Sequence, residues 1–84
     1  MKQEIFAVFD RAAQCFGRPL FTNSVGQTIR SFIDEINRED KESNMWKHPD
    51  DFDLYHLGYF DDVKGKFYEE EPKCTTMGKD VKIR

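Results

Sequence analysis

The run from Pro49 to Glu70 (PDDFDLYHLGYFDDVKGKFYEE) constrains this chain more than any other stretch. Phe, Leu and Tyr dominate a segment of strand length, an Asp-Asp-Val-Lys-Gly turn interrupts it, and a shorter aromatic run follows, the pattern of a β-hairpin. Strict alternation puts Phe52, Leu54, His56, Gly58 and Phe60 on one face, and Asp53, Tyr55, Leu57, Tyr59 and Asp61 on the other. Both faces carry bulky apolar groups, so a helix, a second subunit or a ligand must meet the second one.

The rest of the chain supplies one helix and one further strand. Ser24-Val25-Gly26-Gln27 fits a capping box, and Val25, Ile29, Phe32, Ile33 and Ile36 recur at spacings of three and four. The helix runs from about Val25 to Asn37 or Arg38, with Arg30 and Asp34 spaced to pair on its wet side. Lys2 to Phe9 is a strand with Ile5, Ala7 and Phe9 on one face and Phe6 and Val8 on the other. The segment Arg11 to Phe16 continues this strand past a bulge or a turn until Gly17 and Pro19 break it.

Residues 39 to 48 read as a charged loop, with Met45-Trp46 placed to plug the end of the core. Gly65 is expected at positive φ in the hairpin turn. The expected fold is therefore α+β: a small, mostly antiparallel sheet of three to four strands with one helix packed on a face, in β-α-β-β order. Residues 1–72 form the single domain, and residues 73–84 a basic tail or edge strand. A sheet this small leaves open edges and a second apolar face, which a homodimer would cover.

Composition narrows the function. Eighty-four residues bury only ~60% of the surface the unfolded chain exposes, so stability is modest and little room remains for a closed catalytic pocket. Residues 1–38 carry five basic and four acidic groups (+1), residues 39–72 four and eleven (−7), and residues 73–84 four and one (+3). Nucleic-acid contact must then be local, made away from the acidic middle. The Ile5-to-Phe9 run is too short for a membrane span or a signal-peptide core. Cys15 and Cys74 read as reduced thiols rather than a disulfide framework.

The candidate chemistry is sparse. Asp50, Asp51 and Asp53 read as an acidic turn rather than a cation site, since the calcium-loop glycine and terminal Glu are missing. His48, His56 and Cys74 lack zinc-finger spacing, and no nucleophile elbow or phosphate loop is present. The expectation is a non-enzyme without cofactor or metal. What remains is aromatic and basic, the combination that holds single strands by stacking and backbone tracking.

The order of motifs is itself distinctive. Phe9-Asp10-Arg11-Ala12-Ala13-Gln14-Cys15-Phe16, Pro19-Leu20-Phe21, Thr28-Ile29-Arg30-Ser31-Phe32, His48-Pro49-Asp50-Asp51-Phe52-Asp53-Leu54-Tyr55 and Leu57-Gly58-Tyr59-Phe60-Asp61-Asp62 follow one another, with Gly65 after them. Together they resemble the small non-structural protein of gokushovirus-type microviruses (Microviridae), over about Phe9 to Phe67. Leu20, Thr28 and Phe52 depart from that pattern without disturbing its hydrophobic positions. The resemblance implies a DNA-binding protein of a single-stranded DNA phage, made in the host bacterial cytoplasm and acting in viral DNA synthesis or the switch to single-strand production. On this reading single-stranded DNA is the partner, Lys2, Arg11, Arg18 and Arg30 contact phosphates, and Phe16, Tyr55 and Tyr59 offer stacking faces. The alternative is a regulatory module that contacts a host or viral replication protein without touching DNA.

Overall fold

The computed structural model describes all 84 residues. Five strands form one antiparallel sheet: β1 (Lys2–Asp10), β2 (Cys15–Phe16), β3 (Leu20–Thr22), β4 (Phe52–Asp61) and β5 (Lys66–Met77). The order is β2-β1-β4-β5, with β3 pairing beside β2 on the same side of β1. The fold is α+β, with β1 and β4 at its centre.

Two strands more than the minimum arise because the chain turns at Arg11 instead of running on. Asp10 Oδ1 accepts from the N–H groups of Ala12 and Ala13 at 3.0 and 3.3 Å, and Gln14 takes φ 59° to close the turn onto the Asp10 carbonyl. The hairpin turn after β4 repeats this construction. Asp61 Oδ1 accepts from Val63 and Lys64 at 3.0 and 3.2 Å, and Gly65 stands at φ 67°, as its place in the turn predicts. Asp61→Ala removes both of these bonds and should lower stability by about 1 kcal/mol, read as a fall in the urea midpoint.

β2 and β3 are one edge strand with a slipped register. Phe9 opposes Phe16, but Ile5 opposes Phe21, and the intervening Gly17 N–H donates to the Val8 carbonyl at 2.8 Å. Gly17 and Pro19 mark this bulge.

The helix α1 (Val25–Asn37) begins where the cap predicts, with the Ser24 hydroxyl accepting from Gln27 N–H at 3.1 Å. The reciprocal half of the capping box is replaced, since Ser24 N–H donates to the Thr22 hydroxyl instead. The buried positions are Thr28, Phe32 and Ile36, so the stripe is rotated slightly and leaves Val25 exposed. Phe32 and Ile36 close with Phe6 and Leu54 into the core, flanked by Val8, Ile29, Met45, Phe52 and Val81. Arg30 and Asp34 are both exposed and make no ion pair.

Residues 39–48 are more ordered than a loop. A helical turn, α2 (Asn44–Lys47), starts at the Ser43 cap and presents Met45 to the core, which is the plug its sequence suggests. The expected boundary at residue 72 has no counterpart, because β5 runs through it and Thr76 opposes Leu54. The chain then forms a last helical turn, α3 (Gly78–Val81), rather than a loose tail or a strand of its own. Its anchors are the Asn37 amide on the Val81 carbonyl at 3.0 Å and the Lys82 ammonium on the carbonyls of Ile36 and Trp46.

Past the end of α1, Arg38 is clasped by Glu35 at 2.7 Å and Asp40 at 2.8 Å. The Arg38 hydrogen bonds hold Glu35 below its ordinary value of 4.5, and the Glu42 N–H, then Arg38, hold Asp40 below 3.8. Both folded-state values are depressed, so their contribution is complete above about pH 4.5 and fades as pH falls through the folded values. Arg38→Gln should therefore flatten the acid side of a plot of urea midpoint against pH, and high salt should mimic it, since the groups are solvent-facing.

Candidate nucleic-acid interface

One extra residue decides which side chains share a surface. On the β1 side of β4, Phe6 opposes His56 and Ile5 opposes Gly58, which leaves Leu57 unopposed. A single unpaired residue flips every later side chain to the other face. Before the bulge, Phe52, Leu54 and His56 share the helix side with Phe6 and Val8, while Asp53 and Tyr55 share the far side with Ala7 and Phe9. After it, Tyr59 joins Glu4 on the helix side, and Phe60 joins Gln3 and Ile5 on the far side. Strict alternation assigned Tyr59 and Phe60 the other way round. The sequence signal for the reversal is Gly58 itself, a glycine inside a strand pattern.

On the helix side, beyond the core, an aromatic patch of mixed charge results, with Lys2, Lys66 and Lys73 beside Glu4, Asp61 and Glu70. Tyr59 and Tyr68 stack with centroids 4.7 Å apart and planes 17° from parallel, and Lys2 Nζ lies 4.4 Å over the Tyr59 ring. The register sets Lys2, Asp61 and Lys66 in one row across three strands, and Phe6, His56 and Lys73 in another, with Glu4, Tyr59 and Tyr68 between them. Glu4 is occupied: its carboxylate meets His56 Nε2 at 2.7 Å and Lys2 at 3.7 Å. Glu70 completes the bracket around His56 at 3.4 Å. Lys66 and Lys73 are exposed and make no ion pair.

The far side of the sheet is apolar and has no element of the chain across it. Phe9, Phe16 and Tyr55 meet edge-on at 4.9 to 6.1 Å near one end. Phe21, Phe60 and Phe67 meet at 4.8 to 6.2 Å near the other. The cation on this side is already matched, because Arg11 Nε and Nη2 both donate to Asp53 Oδ2, at 2.9 and 2.7 Å. Those hydrogen bonds push Arg11 further above its ordinary value. Asp53 is buried with its Oδ1 unpartnered, and burial together with that carboxylate pushes the Cys74 thiol up.

The seven residues expected to touch DNA therefore do not form one surface. Lys2 and Tyr59 are in contact on the helix side, whereas Phe16 and Tyr55 are in contact on the far side with Arg11 beside them. Arg18 is exposed in the bulge between β2 and β3, and Arg30 is exposed on α1. Tyr68, Lys66 and Lys73 belong with Lys2 and Tyr59 and were not singled out, because only the register brings β5 beside them. No group of three His, Cys, Asp or Glu side chains is arranged to hold a metal ion, and no helix is long and apolar enough to cross a membrane.

Comparison with known proteins adds to this geometry. The family described as Phage ORF5 protein matches residues 3–81. Protein ORF5 of Chlamydia phage 1 is 32% identical over 75 residues, covering 86% of this chain and 77% of that protein. No solved structure matches.

Proposed function

This chain belongs to the Phage ORF5 protein family, and we propose that it binds single-stranded DNA during viral DNA synthesis in the host bacterium, acting by binding rather than catalysis. The supporting observation is the stacked Tyr59–Tyr68 pair with Lys2, Lys66 and Lys73 in the rows on either side, a patch whose tyrosines fall inside the acidic stretch and not at the arginines or the tail where the charge balance places the contact. Tyr68 offers a ring face toward the sheet edge, and Tyr59 offers its own once Lys2 swings from the ring to a phosphate. Every base has a π-face, so stacking of this kind holds a strand with little sequence preference. Arg11, bonded to Asp53 on the far side, lies away from this patch.

The test is anisotropy of a labelled oligothymidine across a salt series. Three lysines on phosphates should give a slope of about −2 in log K against log salt, from ~0.7 per single-strand contact. Absence of binding at low salt, or binding that ignores salt, would overturn the reading.

A further inference from the structure

We propose that the far face of the sheet is the interface of a homodimer, two copies packing face to face as an aligned β-sandwich. This rests on observations independent of DNA binding. The exposed rings Phe16, Phe21 and Phe67, at 39, 46 and 67% exposure, stand with Phe9, Tyr55 and Phe60 on a surface that monomers seldom leave open.

Charge favours a second copy over a nucleic acid at the centre of this face. The Arg11 guanidinium there is matched by Asp53, so the ion pair enters an interface already neutral, and the exposed cation without an ion pair, Arg18, sits in the bulge of the edge strand. Molecular extents of 43 × 24 × 21 Å cap this face at about 1,000 Å², so an interface of the standard ~800 Å² per partner would take up most of it. The sheet edge is the poorer alternative, because the exposed Glu69, Glu70, Glu71 and Pro72 guard β5 against strand pairing. Packing face to face turns both Tyr59–Tyr68 patches outward.

Sedimentation equilibrium at micromolar concentration decides the matter. The wild-type chain should have twice the 10.0 kDa protomer mass, and Phe21→Lys with Phe67→Lys should return it to one protomer. Both rings are already exposed in the protomer, so the double variant should keep its circular dichroism while dimer affinity falls ~100-fold or more, as for paired interface hot spots. As a readout without substitution, the ring resonances of Phe21 and Phe67 should shift on dilution of the wild type, while those of Trp46 stay fixed. A wild-type monomer, a double variant that still dimerises, or far-face rings that respond to oligothymidine and not to dilution would each overturn the proposal, the last assigning the face to DNA.

Discussion

Gly58→Ala should cost more than about 3 kcal/mol, the largest loss expected from adding a single methyl anywhere in the sheet. Two penalties combine. Gly58 sits at φ +139°, where an L side chain is strained by ~1–3 kcal/mol. A Cβ there would also lie 2.1 Å from the Tyr68 carbonyl oxygen, a contact that only backbone movement relieves. The backbone that would have to move carries the β4–β5 pairing, so relief would separate Tyr59 from Tyr68. A domain of this length holds roughly 4–13 kcal/mol, so the urea midpoint should fall by a large fraction or the variant should fail to accumulate folded. A midpoint within error of wild type would mean that β4 carries no bulge.

The second large effect concerns the rings. Tyr59→Ala and Tyr68→Ala should each weaken oligothymidine binding by ~1–3 kcal/mol, the usual value of one base stacked on an aromatic side chain. Tyr→Phe at either position should retain most of the affinity, because the π-face remains. Phe67→Ala, on the other side of the sheet and 67% exposed, should leave DNA affinity nearly unchanged. Equal losses for Tyr68→Ala and Phe67→Ala would show that the two faces are not separated in function. Circular dichroism of each variant separates lost stacking from lost structure, since Tyr59 and Tyr68 are half-buried.

Much of the fold was legible because local chemistry wrote it down. The Ser24 cap, the turn glycine at 65 and the amphipathic run ending at Asn37 each have a local physical cause, and each is where the residues place it. The turn at Arg11 was harder to read, because Gln14 does at φ 59° what Gly65 does openly at φ 67°. The final segment was legible only in part, its edge-strand alternative holding for residues 73–77 at the end of β5. Residues 73–77 carry no alternation of their own and become strand only by pairing with a β4 that is already placed.

The candidate site was legible by residue type and not by side. Lys2 and Tyr59 belong to the patch, yet Phe16 and Tyr55 were grouped with them because strict alternation cannot show where a strand gains a residue. Asp53 illustrates the same limit. As one of three nearby aspartates it reads as part of an acidic turn leading into the strand, whereas the fold buries it and commits Arg11 to it.

The most direct test of two faces with two roles is mapping of backbone and ring resonances of isotopically labelled protein during titration with oligothymidine at low salt. Shifts confined to Lys2, Tyr59, Lys66, Tyr68 and Lys73, with Phe16, Tyr55, Phe60 and Phe67 unmoved, are the predicted result. Shifts concentrated on those four far-face rings, with the tyrosine and lysine patch silent, would contradict it.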